Sequence, residues 1–387
     1  MTKTYDAIVV GGGITGASTA YHLMAQGLKN VLLVERYKAA AGGTGKSAAI
    51  VRQHYSTPLM ARLAIDSIEM MEAMEAEREG RFWQSGYLML VPDDLMEKAD
   101  ENLTMQREVG VDTRWLEPAE IEQQAPWLNT EGVAGVIHEP RGGYADPLRT
   151  TEYFIDKFRA AGGEYRDQTA CRELIREGDR ITGVVAESGS VMAGVVVNAA
   201  GPWAKPLGEQ AGLEMQMRVY REQDSIWQAR ANRPLPTTSI SNAVDAIYLR
   251  PMGEGRFLIG QGFPKDYLDV DPYNYRETAE DAFIELMLER AVHRIPPLDG
   301  MRLINAYAAL YDVTPDWYPF IGPRSGIEGY ADAWGGSGHG FKIGPAIGRN
   351  LASWIISGKT SEEFAGLSYD RLAKGALYVG AYGGNRG

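Results

Sequence analysis

Cysteine is almost missing from this chain: Cys171 is the only one in 387 residues. That excludes an internal disulfide and any zinc or iron–sulfur centre built on several thiolates. Histidine is scarce too, and His22, His54, His138, His293 and His339 fall at no spacing a metal site uses. Positive charge is outweighed, with 39 Lys+Arg against 51 Asp+Glu. A net charge of −12 repels nucleic-acid phosphates and anionic membrane surfaces. No apolar run is long enough to cross a bilayer, no signal-peptide pattern precedes the first apolar segment, and no internal repeat or low-complexity linker is present. A cytoplasmic protein is expected. The 44% hydrophobic and 23% charged residues are ordinary for a globular chain long enough for two domains.

Glycine, at 45 residues, is plentiful. The first cluster, Gly11-Gly12-Gly13-Ile14-Thr15-Gly16, follows the apolar segment Tyr5 to Val10, which reads as a buried parallel strand. Ile14, Ala17, Ala20 or Tyr21, Met24 and Leu28 then recur at helical spacing, with Gly27 near the stop. A second apolar strand, Val31 to Val34, ends on Glu35. The result is a βαβ unit with G-x-G-x-x-G between strand and helix. Gly11 permits the tight turn, Gly13 lets a pyrophosphate approach the backbone, and Gly16 lets the helix pack on the strand. The helix N-terminus offers free N–H groups to phosphates. Glu35 is placed to accept hydrogen bonds from a ribose and would repel a 2′-phosphate. This stretch points to a dinucleotide and leaves FAD against NAD open.

Further along, the small-residue loop 39–49 lets backbone approach a ligand. A helix from about Pro58 carries Met60, Leu63, Ala64, Ile68, Met71 and Met74 on one core-facing side. Asp146-Pro147 makes an N-cap with proline at the first helical position, and Leu148, Thr151, Phe154, Ile155 and Phe158 point inward. Short strands at 170–176 and 181–186 lead to an apolar strand over 195–200 and Gly201-Pro202-Trp203. Strands are expected at 246–250 and 256–261, and Thr278-Ala279-Glu280-Asp281 reads as a capping pattern. A final glycine block, Gly335 to Gly340, runs into Phe341-Lys342 and a helix after Pro345; the tail from Gly380 is expected to fray. Nucleotide-binding texture at the start, the middle and the end fits one discontinuous domain with an insert.

Three blocks in order carry a resemblance: Gly11 to Glu35, Val195 to Trp203, and Pro319 to Gly322 through Gly338 to Lys342. Together they are similar to the FAD-dependent D-amino-acid oxidase/glycine oxidase superfamily, and within it to sarcosine oxidase and to β-subunits of heteromeric sarcosine oxidases and proline dehydrogenases. The resemblance implies an α/β (α+β) fold: a discontinuous Rossmann-like FAD-binding domain over 1–80, 145–218 and 303–380, and an inserted β-sheet-rich substrate domain over 81–144 and 219–302, leaving 381–387 as a tail. It also implies oxidation of the C–N bond of a secondary or tertiary, N-methyl or cyclic, amino acid by hydride transfer to flavin. The chain could act alone, as a homo-oligomer, or as a flavin-bearing subunit with a partner chain.

By position, the resemblance makes Arg52 and Lys342 the pair that faces the substrate carboxylate. It puts Gly11, Gly13, Ile14, Thr15, Gly16, Glu35, Arg36, Gly43, Thr44, Ser47, Ala48, Cys171, Ala200, Gly201, Trp203, Gly338, His339, Gly340 and Phe341 along the cofactor. His54, Tyr55, Tyr248 and Trp227 are further pocket candidates, and no residue is nominated as a general base. Two departures stand out. Ala309 occupies the place of the cysteine that holds flavin covalently in monomeric sarcosine oxidases, so noncovalent FAD is expected. Leu258 occupies the place of the lysine that assists oxygen, so a dehydrogenase or slow oxidase is expected.

Overall fold

The computed structural model describes residues 4–187 and 189–382. Apolar side chains on both faces drive Thr4–Val10 and Val31–Val34 into the middle of an eight-stranded sheet. Thr4–Val10 pairs in parallel with Val31–Val34 on one side and with Gly189–Asn198 on the other, and Val10 stands opposite both Val34 and Asn198. Tyr330–Trp334 joins in parallel, with Asp332 opposite Asn198. These strands stop at one level. In open parallel sheets ligands sit beyond that carboxyl edge.

Two helices begin at this edge and lie against each other on one face of the sheet, Ile14–Ala25 and Gly340–Ser357. Their close approach depends on missing side chains. A Cβ at Gly348 would sit 2.4 Å from Ser18 Oγ, and one at Gly344 2.8 Å from Ile14 Cγ2. The second helix starts five residues before Pro345, not after it as expected. Proline interrupts the backbone ladder there, and neighbours take up the slack. The Ser18 hydroxyl donates to the Pro345 carbonyl at 2.8 Å, and the Ala346 N–H donates to Ser67 Oγ at 3.1 Å.

The second sheet has nine strands, and most of them come from the two inserted stretches: Leu268–Asp269, Arg218–Gln228, Arg256–Gln261, Ile247–Pro251, Ser239–Asn242, Tyr87–Val91, Gly135–Glu139 and Arg114–Trp115, in that order. The ninth is Arg302–Val313, antiparallel to Arg218–Gln228 along its whole length. That strand was expected in the nucleotide domain; it belongs to the insert's sheet, and the return to the first sheet comes at Phe320–Pro323. A small sheet of Ile50–Val51, Gly143–Ala145 and Phe82–Trp83 joins the two regions.

Three local expectations need correction. Leu148 is 45% exposed, because the first turn of Pro147–Ala160 projects past the core that buries Phe154, Ile155 and Phe158. Thr278 does not cap the helix Asp281–Arg294: Glu280 is its N-cap, and the Thr278 hydroxyl instead accepts from Arg276 Nε at 2.8 Å. The tail does not fray from Gly380, since Tyr382 is 5% exposed and packed into the protein; residues 383–387 and Ser188 lie outside the described residues.

The C-terminal segment is tied down by one buried ion pair. Arg371 donates to Asp316 from Nε at 2.8 Å and from Nη2 at 2.9 Å, and also to the Tyr318, Pro319 and Leu367 carbonyls, with both side chains almost wholly buried. Removing one partner leaves a buried charge unpaired. Arg371→Met should therefore cost about 3–5 kcal/mol, read as a fall in the urea midpoint; an unchanged midpoint would contradict this reading.

Candidate active site

The strand ends, the two helix N-termini and one face of the second sheet enclose an elongated cavity of about 560 Å³. One end is formed by the first glycine turn. Gly11 has φ +111°, and a Cβ there would lie 2.3 Å from the Ala199 carbonyl oxygen, so only glycine closes the turn against Ala199-Ala200. Gly16 does not line the cavity; a Cβ there would be 1.9 Å from the Gly11 carbonyl, and its role is helix–strand packing. Glu35 is held rigidly, accepting the Gly12 N–H at 2.7 Å on one oxygen and the Tyr37 N–H at 2.9 Å on the other. Arg36 and Cys171 stand nearby, and burial pushes the Cys171 thiol up to about 12, which keeps it protonated and unreactive.

The middle of the cavity is bounded by Gly43, Thr44, Ser47 and Ala48 of the small-residue loop and by Ala200, Gly201 and Trp203. The Ile14 N–H donates to Thr44 Oγ1 at 3.2 Å, which ties this loop to the helix start. Neither helix carries a side-chain cap: the N-cap residues are Gly13 and His339. Apart from the Ile14 N–H held by Thr44, the first-turn N–H groups of both helices are left without a side-chain cap, and residues of both first turns line the cavity, bringing partial positive charge to it.

The far end holds His339, Gly340, Phe341, Lys342 and Arg52. Gly338 is also there, and Asp312 shapes the loop by accepting the Gly335 and Gly336 N–H groups at 2.7 and 3.1 Å. Arg52 donates to the His54 carbonyl and lies 4.8 Å from the Tyr55 ring centroid. Lys342 is 8% exposed; burial first, then the Arg52 charge, holds its ammonium well below the usual lysine range. His339 is buried and held neutral by the same causes, with Lys342 ahead of Arg52 among the charges. No carboxylate among the described residues is in an ion pair with Arg52 or Lys342; the buried Glu139, which accepts the Gln53 N–H at 2.7 Å, feels the Arg52 charge, but burial outweighs both and pushes it up to about 7.

Three of the sequence's pocket candidates fall outside the cavity. His54 sits behind Arg52, with its Nε2 3.2 Å from Tyr382 Oη, the two rings stacked, and its pKa lowered to about 3 by burial and then by Arg52. Trp227 is core, donating to Ser225 Oγ at 2.8 Å. Tyr55 is also fully buried, edge-on to His339, and stays off the wall. Tyr248 does line the cavity, joined by residues that the motifs did not mark: Tyr87, Met89, Ser241, Phe263 and Tyr311. Tyr87, Met89, Ser241 and Tyr311 lie on strands of the second sheet and Phe263 just after Arg256–Gln261, and only the fold decides which side of that sheet meets the cavity. Leu258 and Ala309 are buried off the wall.

The cavity's shape fits FAD. Gly201 and Gly340 both line it, and a Cβ built on either meets no protein atom within 4 Å, so the backbone leaves room for a ligand there. Glu35 would hold the ribose, the two helix starts would serve the pyrophosphate and the ring edge, and Arg52 and Lys342 lie beyond. Among the described residues no group of three or more His, Cys, Asp or Glu could hold a metal, and no helix is long and apolar enough to cross a membrane.

Comparison with known proteins agrees with this geometry. Human mitochondrial dimethylglycine dehydrogenase is 26% identical over 95% of this chain, which spans 44% of that longer protein. Sarcosine oxidase subunit beta from an Arthrobacter species is 27% identical, with 97% of this chain matching 93% of that one. The crystal structure of L-proline dehydrogenase from P. horikoshii superposes with a TM-score of 0.90 at 27% identity, over 98% of this chain and all of that one. The model of the family described as DAO, FAD dependent oxidoreductase, matches residues 6–354, and the chain belongs to that family.

Proposed function

We propose that this protein oxidises the C–N bond of an amino acid whose nitrogen is secondary or tertiary. The observation that carries the reading is the pair of cations in the cavity lining: Arg52 and Lys342 both line it, neither is in an ion pair among the described residues, and the acid that feels the Arg52 charge, Glu139, lies off the lining with burial pushing it up to about 7. Buried cations without a partner are costly, and a ligand carboxylate relieves that cost. Three relatives whose names specify dimethylglycine, sarcosine and proline support a carboxylated amine as the ligand.

Bound FAD would supply the acceptor for a hydride from the carbon next to nitrogen. The chain's own residues bind and orient. Arg52, stacked on Tyr55 and anchored to the His54 carbonyl, offers a fixed fork to the carboxylate. Lys342 adds a compact charge from the first turn of its helix. Tyr248, Tyr311 and Phe341 close the walls, exclude water and leave the nitrogen end facing the tyrosines. Ala309 provides no thiolate, and Cys171 at the opposite end is protonated, so FAD is held noncovalently. Leu258 lies off the wall, so the choice between dehydrogenase and slow oxidase rests on how fast air reoxidises the reduced flavin. The match along nearly the whole of a protein named as a subunit supports a second reading, in which turnover requires a partner chain.

Arg52→Ala should raise KM for the amino acid by about 10- to 100-fold, as expected for a charged hydrogen-bonding group worth about 1.5–3 kcal/mol. The pH dependence follows from Lys342. A bound carboxylate favours the ammonium form, so binding takes up a proton, and KM should rise with pH above the depressed pKa of free Lys342. Lys342→Met should flatten that rise. Unchanged KM in both variants would remove the carboxylate assignment; activity restored only on adding a second chain would establish the subunit reading. Acid denaturation should leave the flavin in the supernatant, and colour remaining with the precipitate would contradict noncovalent binding.

A further inference from the structure

Behind Tyr248, which lines the cavity, lies an acid that none of the roles above uses. Asp224 lies on the strand Arg218–Gln228, 4% exposed, and accepts a hydrogen bond from Tyr248 Oη at 2.8 Å. Tyr248 stands on Ile247–Pro251, and between the two runs Arg256–Gln261, which presents Gly260 opposite both residues. The glycine makes the contact possible. A Cβ at Gly260 would lie 2.3 Å from Tyr248 Oη and 2.5 Å from Asp224 Oδ1, in the gap that the hydrogen bond crosses. Asp224 is otherwise faced by Glu222 on its own strand, by Arg250 beside Tyr248, by Tyr307 and Tyr311 on Arg302–Val313, and by Lys265, which is committed to a buried pair with Glu222 and to the Gln261 carbonyl at 2.8 Å. Among the described residues no cation is in an ion pair with Asp224.

An amino acid in water carries an ammonium group, and hydride can leave the adjoining carbon only once nitrogen has its lone pair. We propose that Tyr248 and Asp224 form a proton relay, Tyr248 touching the substrate nitrogen and Asp224 receiving the proton through it. The inference rests on the amino-acid reading of the cavity. In the step, a substrate N–H bond breaks as an O–H bond forms on Tyr248, while the phenolic proton passes along the 2.8 Å hydrogen bond to the Asp224 carboxylate. One proton moves, no electrons are lost, and nothing else is consumed.

The surroundings suit both members. Burial first, then the Asp224 charge, holds the Tyr248 phenol far above its ordinary value, so it conducts a proton without resting as phenolate. Burial pushes Asp224 up to about 7, against the opposing pull of the Tyr248 hydrogen bond. A carboxylate poised there is ionised in mildly alkaline solution, ready to accept, and basic enough to keep a proton. Asp224 is thus a positioning and relay residue that acts through Tyr248.

Two measurements test this. Infrared difference spectra of the holoprotein across a pH titration should contain a carboxyl component that loses its protonated C=O band near neutral pH. It should vanish in Asp224→Asn and move to higher pH in Tyr248→Phe, with Glu139→Gln as reference for the other buried carboxyl pushed to about 7. The limiting rate of anaerobic flavin bleaching by an N-alkyl amino acid should hold down to about pH 7 in the wild type. In Asp224→Asn and Tyr248→Phe the acid limb should move up by at least about one pH unit, a roughly tenfold loss at its foot that narrows as pH rises towards the amine's own pKa. A structural defect would lower the rate evenly at every pH. Parallel profiles, or a carboxyl band that survives Asp224→Asn, overturn the relay. Bleaching by no N-alkyl amino acid, in a protein that still holds FAD, brings down the amine reading and the relay with it.

Discussion

The structure depends on the close approach of Ile14–Ala25 to Gly340–Ser357, residues more than three hundred positions apart in the chain. Gly344 and Gly348 remove the side chains that would hold the helices apart, and Ser18 and Ser67 take up the hydrogen bonding that Pro345 disturbs. Because the helices lie side by side, both N-termini open on the same cavity, and the carboxyl edge of the parallel sheet lies beneath them. Lys342 is carried to its place by this contact. Without it, the first glycine turn would bind a nucleotide and have no reacting end to serve.

The cavity is polarised along its length. Glu35, pinned by two backbone N–H groups, marks the ribose end. Arg52 and Lys342 mark the carboxylate end, and burial makes their unneutralised charge expensive until a ligand arrives. The insert's sheet places a buried acid, Asp224, behind Tyr248 of the cavity lining, while its neighbour Glu222 is taken up by Lys265. The proposed reading gives a zwitterion one orientation in that field. Its carboxylate goes to the arginine–lysine end, and its ammonium goes to the tyrosine–aspartate wall.

How much of this was legible before the structure varies with the range of the interactions involved. The first βαβ unit could be read because strand, turn, helix and acid are contiguous and each residue's role is local. The glycine block before Lys342 was recognisable for the same reason, although the start of its helix was misplaced because a proline inside a helix looks like a boundary. Arg302–Val313 was assigned to the wrong sheet: its alternating pattern says strand, but pairing with Arg218–Gln228 is a choice made across the fold. His54 looked like a pocket residue close to Arg52, yet the strand Ile50–Val51 ends before them, so strand alternation does not set their directions, and His54 turns inward to Tyr382. Asp224 was invisible as a site, since nothing in Arg221-Glu222-Gln223-Asp224 says that a tyrosine 24 residues away reaches it across a glycine.

The most direct measurement compares amino acids with the same amines lacking the carboxylate, under argon, by bleaching of the bound flavin. Sarcosine, dimethylglycine, proline, hydroxyproline, pipecolate and other N-methylated amino acids are set against dimethylamine, trimethylamine, pyrrolidine and piperidine. Bleaching by one or more of the carboxylated compounds, with their decarboxylated counterparts inert at the same concentration, is the expected result. Equal bleaching by the simple amines, or none by any amino acid, would contradict the assignment of Arg52 and Lys342 as the carboxylate site.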